Sequence, residues 1–255
     1  MKSARGAFPF ALGLFALIGC SACTNIPTSD NAVLAIEIDT LPAPAVVVND
    51  TLRDSTGKAS PISARIFNFK GNVITTADVR FHALDRFVRV DSVTGFLIGD
   101  SVRTTPARIV VSVGTLQAIQ SLFVTLRPDT VFGVNARDSL AYSLLDSTKN
   151  TSNALSVQVL HSLSSKDSAV NAYVVSFAVV SPADTLLAIL VNDAGLPSRR
   201  DTTDETGTAS RRIRLNPIRL TSLADSIIVN ATVKYRGAQV RGSPVRLVLK
   251  VKPGA

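Results

Sequence analysis

Ile62-Ser63-Ala64-Arg65-Ile66-Phe67-Asn68-Phe69 alternates apolar and polar residues for most of its length, then breaks at Lys70-Gly71-Asn72. A period of two marks a strand with one face buried and one in water. The same period returns in Val79-Arg80-Phe81-His82-Ala83 and in Val88-Arg89-Val90. Toward the N-terminus, Ala32-Val33-Leu34-Ala35-Ile36-Glu37-Ile38-Asp39 and Ala45-Val46-Val47-Val48 are apolar and rich in β-branched residues, bounded by Pro42, Pro44 and Asn49-Asp50. Toward the C-terminus, residues 107–113 and 116–126 continue the series. No stretch here sustains a helical period. About seven strands separated by polar turns predict a sandwich or small barrel.

Arg127-Pro128-Asp129-Thr130 interrupts the pattern and marks the expected boundary between two units, residues 32–127 and 128–255. The second unit repeats the strand signal at residues 139–145, 155–161, 172–180, 186–191, 209–215, 227–235 and 245–251. That density is close to what an immunoglobulin-type sandwich of about 100 residues requires. Residues 138–147 fit a brief helix as well as a strand, because their apolar spacing suits either period. The fold class expected is all-β, two β-sandwiches in tandem.

Composition narrows the function. The chain has 255 residues, 46% of them apolar, enough for buried cores. Its two cysteines, Cys20 and Cys23, both lie near the N-terminus, so the strand-rich part holds neither a disulfide nor a thiolate metal site. The net charge is +8, and all of the excess falls after residue 198. Fifteen basic and fifteen acidic side chains cancel before that point; twelve basic and four acidic follow it. In Arg211-Arg212-Ile213-Arg214-Leu215 a strand period sends Arg212 and Arg214 one way and Arg211, Ile213 and Leu215 the other. In the last run Arg246, Lys250 and Lys252 share a face with Val248, opposite Val245, Leu247, Leu249 and Val251. If the two strands are neighbours, Arg212, Arg214, Arg246, Lys250 and Lys252 form one basic face for an acidic glycan or lipopolysaccharide phosphate. The competing readings are solvated arginines and edge protection against strand-to-strand association. Nucleic acid is not expected, since the aromatic interleaving of single-strand binders is missing.

The N-terminus speaks to location. Lys2 and Arg5 precede the apolar run AFPFALGLFALIG at residues 7–19, a charged start and short hydrophobic segment of the kind that directs secretion. Thirteen residues are too few for a spanning helix, which needs about 20. Leu17-Ile18-Gly19-Cys20 resembles the lipobox of bacterial lipoproteins. The resemblance implies cleavage after residue 19, acylation of Cys20, and a tether through residues 20–31. Ser21 rather than aspartate after the cysteine implies transfer to the outer membrane in Gram-negative relatives. An ordinary signal peptide cut after Ala22 is the alternative.

Two passages resemble bacterial immunoglobulin-like domains. Gly71-Asn72-Val73-Ile74, Ala77-Asp78-Val79-Arg80-Phe81, Val88-Arg89-Val90-Asp91-Ser92-Val93-Thr94-Gly95 and Leu97-Ile98-Gly99 follow the order of the group-two type. Phe81 stands near the place of that family's third-strand tryptophan. Tyr173-Val174-Val175-Ser176-Phe177, Asp201-Thr202-Thr203-Asp204-Glu205-Thr206-Gly207-Thr208-Ala209 and Asp225-Ser226-Ile227-Ile228-Val229-Asn230-Ala231-Thr232-Val233 resemble the invasin and intimin type. The resemblance implies a spacer, binding or adhesion role. In the second passage Gly207 supplies a positive φ and Asp204 bonds back to the backbone.

The chain carries only fragments of catalytic motifs. His82 and His161 each lie in a strand pattern without a metal-ligand spacing. Gly99-Asp100-Ser101 matches the opening of a lipase-type block, yet neither histidine has an aspartate three positions before it. There is no Gly-x-Ser-x-Gly elbow and no phosphate-cradling glycine loop. Asp201, Asp204 and Glu205 form an acidic loop that suits calcium, but Arg199, Arg200, Arg211 and Arg212 compete for the same carboxylates. The expectation is a non-enzymatic envelope protein without cofactor, lipid-anchored at Cys20. Its expected partners are the membrane, with an acidic glycan, lipopolysaccharide or envelope protein; a spacer without a ligand is the alternative.

Overall fold

The computed structural model describes residues 32–163, 166–184, 186–219 and 226–254. The signal segment, Cys20 and the tether lie outside the described residues.

In the first sandwich the alternating runs become strands because each buries one row of side chains. They are β1 (Ala35–Ile38), β2 (Ala45–Val47), β3 (Ala64–Phe67), β4 (Arg80–Ala83), β5 (Val88–Val90), β6 (Leu97–Gly99), β7 (Ala107–Val113) and β8 (Leu116–Thr125). One sheet runs in the order β2-β8-β7-β4, with β2 parallel to β8 and the remaining pairs antiparallel. The facing layer consists of the β1–β3 pair and the β5–β6 hairpin. It is stitched by backbone bonds from Leu52 N to Leu97 O (2.8 Å) and from Ile62 N to Gly95 O (3.0 Å). Between the layers lie Leu52, Ile62, Phe81, Leu97, Ile109 and Leu122, all buried. Phe81 thus fills a core position. Strand β6 escapes a periodicity reading because Leu97 and Ile98 are adjacent and both apolar, so it does not alternate.

The second sandwich comprises β9 (Thr130–Asn135), β10 (Arg137–Tyr142), β11 (Leu155–Leu163), β12 (Lys166–Ala169), β13 (Val174–Ser181), β14 (Ala188–Val191), β15 (Arg200–Thr202), β16 (Thr208–Leu215), β17 (Ser226–Thr232), β18 (Lys234–Tyr235), β19 (Ala238–Gln239) and β20 (Val245–Pro253). One sheet reads β10-β20-β17-β13-β15; the other reads β12-β11-β16-β14, with β9 also on β11. The opening strand therefore divides. Its first half pairs antiparallel with β11, and its second pairs parallel with β20. This is the immunoglobulin arrangement, in which the first, second, fifth and fourth strands face the third, sixth and seventh. The chain is all-β, two immunoglobulin-like sandwiches in tandem.

Leu247 and Leu249 of β20, Ile227 and Val229 of β17, Phe177 of β13 and Ile213 of β16 form the centre of the second core. Each fully buried leucine contributes about 2 kcal/mol of transfer free energy. Residues 138–147 resolve as strand to Tyr142 followed by a 3-10 turn at Ser147–Lys149, capped by the Asp146 side chain. Strand β15 is polar and sits at a sheet edge, where both faces meet water and no alternation is required. The Asp204 turn forms as the spacing predicts. Asp204 Oδ1 accepts the amides of Thr206 (2.8 Å) and Thr208 (2.9 Å), and Gly207 has φ +77°. The same construction recurs at Asp54-Ser55-Thr56-Gly57-Lys58, where Asp54 Oδ1 accepts the amides of Thr56 (2.9 Å) and Lys58 (3.0 Å).

Candidate functional site at the joint between the sandwiches

The basic residues singled out in the sequence fall into two groups. Arg212 and Arg214 are exposed on β16; Arg246, Lys250 and Lys252 are exposed on β20. Those strands belong to opposite sheets, so the five do not make one face. The cause is topological: strands fifth and seventh in an immunoglobulin order are assigned to different layers. Arg212 lies 3.6 Å from Asp193, and Arg214 donates to the Gly195 carbonyl (2.9 Å). Strand β20, by contrast, places Arg246 beside Asn230 and Lys250 beside Ser226 on the outer face of its sheet.

Two of the three carboxylates of the acidic loop are consumed internally, and Glu205 is exposed. Asp201 pairs with the buried Arg211 (2.9 Å) and accepts the Ser210 amide (2.7 Å). Arg211 also donates to Ser210 O, Ser198 Oγ and Arg200 O, and its guanidinium lies over the Phe177 ring. Asp204 serves its own turn, where burial raises its pKa and the Thr206 and Thr208 bonds more than reverse that, leaving it lowered. Among the described residues no group of three His, Cys, Asp or Glu is placed to hold a metal ion. His82 is exposed on β4, and His161 Nδ1 lies 2.5 Å from Asp129 Oδ2.

A different constellation joins the two sandwiches. Strands β18 and β19 form a hairpin whose tip, Arg236-Gly237, has positive φ at both residues (51° and 83°). That is the type I′ geometry of tight hairpins. The tip packs on the Asp54 turn so closely that a Cβ built on Gly57 would stand 2.1 Å from Gly237 N. Beside this contact Asp50, its side chain 4% exposed, accepts from both units. Thr51 N (2.8 Å), Arg53 Nε (2.9 Å) and Arg53 Nη2 (2.8 Å) come from the first sandwich. Tyr235 Oη (2.8 Å), Arg236 Nε (3.1 Å) and Arg236 Nη2 (3.0 Å) come from the second. Burial pushes the Asp50 pKa up, but the bonds from Arg53, Arg236, Tyr235 and the Thr51 amide outweigh it and hold the carboxyl far below the usual range. Two further bonds cross or brace the joint: Thr125 Oγ1 to Asn171 O (2.5 Å) and Tyr173 Oη to Lys234 O (2.6 Å). Burial drives the Tyr173 phenol well above its ordinary pKa, with Tyr235 and Asp50 adding to the effect.

Next to the clamp lies a cleft of about 420 Å³. Its first wall is the Pro42–Val47 segment with the Asp50–Gly57 loop; its second is Tyr173, Ser176, Arg200, Thr232 and Lys234. The register places Arg200, Ser176 and Thr232 abreast on β15, β13 and β17. Arg246 lies one row further on the same outer face, opposite Asn230. Asp50, Lys234 and Arg236 do not stand out in the sequence; Tyr173 enters it only as the start of a strand motif and Arg200 only as a competitor for the acidic loop. Asn49-Asp50 reads only as a turn, and the Arg236-Gly237 pair is the one local signal that a tight hairpin lies there.

The strand order defines the class: a tandem immunoglobulin-like protein. No family model matches the sequence, and no curated protein does. Similar solved structures include domains 4 and 5 of the S-layer protein SbsC, 14% identical over 86% of this chain and 98% of that one, with a TM-score of 0.32. The Escherichia coli adhesin FdeC is 13% identical over 87% of this chain and 66% of that one, with a TM-score of 0.29. Human protocadherin-24 EC1-2 is 13% identical over 88% of this chain and 100% of that one, also at 0.29. The assignment to the immunoglobulin class stands on the strand order itself.

Proposed function

We propose that this chain is a non-catalytic module of the cell envelope, lipid-anchored through Cys20 at the outer membrane. In this reading its two units, residues 32–127 and 128–255, are held as one body and serve binding or adhesion. The observation that carries the reading is the Asp50 clamp. A carboxylate buried between two sandwiches and bonded from both sides fixes their relative orientation, which a presenting module needs and a loose tether does not. The Leu17-Ile18-Gly19-Cys20 sequence supports the anchor: one acyl chain holds a protein marginally, and two or more hold it stably.

A spacer or assembly partner with no ligand of its own is the second reading, and the clamp suits it too; the exposed Arg200 and Lys234 in the cleft beside the clamp favour binding. The two readings separate on charge. A binding module takes up an acidic glycan in a salt-sensitive way; a spacer takes up none at any salt concentration. The anchor is tested by metabolic palmitate labelling and membrane fractionation of the native chain against Cys20→Ser. Label in the outer-membrane fraction, lost in the variant, supports it. Unlabelled soluble native protein overturns it.

A further inference from the structure

The cleft beside the clamp has the chemistry of a site for a small anionic saccharide. Four cations line it, Arg53, Arg200, Lys234 and Arg236, against two carboxylates, Asp50 and Asp54. Both carboxylates are spent, Asp50 on the clamp and Asp54 on its own turn. Arg53 and Arg236 are committed to Asp50. Arg200 and Lys234 remain, exposed, with no side-chain hydrogen bond or ion pair among the described residues. The Ser176 and Thr232 hydroxyls are likewise without a protein partner there and lie in register with Arg200. Tyr173 and Tyr235 supply aromatic edges whose own hydroxyls are already satisfied. Unpaired cations, free hydroxyls and aromatic surface in one concavity fit a polyol carrying negative charge. The volume falls in the range of small-molecule sites and holds one or two sugar rings.

We propose that this inter-sandwich cleft binds an acidic saccharide, one bearing a carboxylate or phosphate, with Arg200 and Lys234 contacting the charge and Ser176 and Thr232 the ring hydroxyls. The proposal rests on the binding-module reading and gives it a ligand class and a place. The saccharide is either free or the headgroup of a lipid; both share the chemistry.

The test uses the full chain carrying Cys20→Ser, titrated with digalacturonate, with lactose as the neutral control, and by calorimetry. A second arm measures binding to vesicles containing lipopolysaccharide against vesicles of phosphatidylcholine alone. Arg200→Glu/Lys234→Glu removes the unpaired cations without touching the Asp50 clamp, and circular dichroism checks that it folds. Arg212→Glu/Arg214→Glu reverses charge on the opposite sheet. The expected result is binding of digalacturonate but not lactose, weakened at least tenfold in Arg200→Glu/Lys234→Glu and unchanged in the opposite-sheet variant. Binding in the vesicle arm alone, with the same pattern, assigns the lipid-linked source. Binding that survives Arg200→Glu/Lys234→Glu overturns the cleft while leaving the binding module standing. Absence of binding in both arms overturns the saccharide.

Discussion

Asp50→Ala removes the acceptor that both sandwiches share. The loss is six hydrogen bonds, three of them from Tyr235 and Arg236 across the joint. A buried ion pair broken on one side costs about 3–5 kcal/mol. The lower end applies here, because the side chains of Arg53 and Arg236 are 26% and 54% exposed and water resolvates them. Three of the six bonds cross the joint, so about half of that, ~1.5 kcal/mol or roughly tenfold, falls on the docking equilibrium. The assay is built into the molecule. The chain has no tryptophan and three tyrosines, and two of these, Tyr173 and Tyr235, stand at the joint. Tyrosine fluorescence then reports mainly the joint, while far-ultraviolet circular dichroism reports both sandwiches. In urea the native chain should show coincident transitions. In Asp50→Ala the fluorescence transition should come first, as two-state behaviour fails between separately melting units. Coincident transitions in the variant, with a midpoint shift worth less than about 1 kcal/mol, would refute the clamp.

Acid should act on the same group. A carboxylate whose folded pKa lies below its unfolded value near 4 stabilises the fold above that value, and the contribution drains as pH falls toward the folded pKa. The fluorescence midpoint of the native chain should drop below about pH 4 more steeply than that of Asp50→Asn; parallel pH profiles would exclude the linkage. Gly57→Ala forces a Cβ into the Gly237 backbone at a φ of +90°, which should cost about 3 kcal/mol of strain and overpacking. A thermal scan showing no loss would mean the two turns do not touch. Arg211→Ala strands Asp201 and leaves a hole against Phe177, so it should destabilise by about 3–4 kcal/mol. Arg211→Met, which refills the volume, should lose clearly less, and equal urea midpoints for the two variants would argue against a packing contribution.

Where side chains obey a period, the sequence was readable. Arg212 and Arg214 do face water while Arg211, Ile213 and Leu215 face inward, and β20 alternates as Arg246-Leu247 and Leu249-Lys250 require. Gly207 also has the positive φ expected of it, and Phe81 lies in the first core. Strands β6, β9 and β15 were not legible. The first has two adjacent apolar residues and no alternation, the second begins at Thr130 inside the Arg127–Thr130 break that marks the boundary, and the third is a polar edge.

What the residue order by itself determined is local: the pleat that selects strands, the Asp-and-glycine turns that end them, and therefore an all-β chain. These depend on neighbours within a few residues, which the sequence displays directly. Partnership between distant strands was decided only in three dimensions. Alternation says which face a side chain takes but not which sheet its strand joins, so the five basic residues that looked like one face divide between two layers. The joint is more hidden still. Asp50 and Tyr235 meet across 185 positions through polar atoms in turns, where no periodicity exists to announce them.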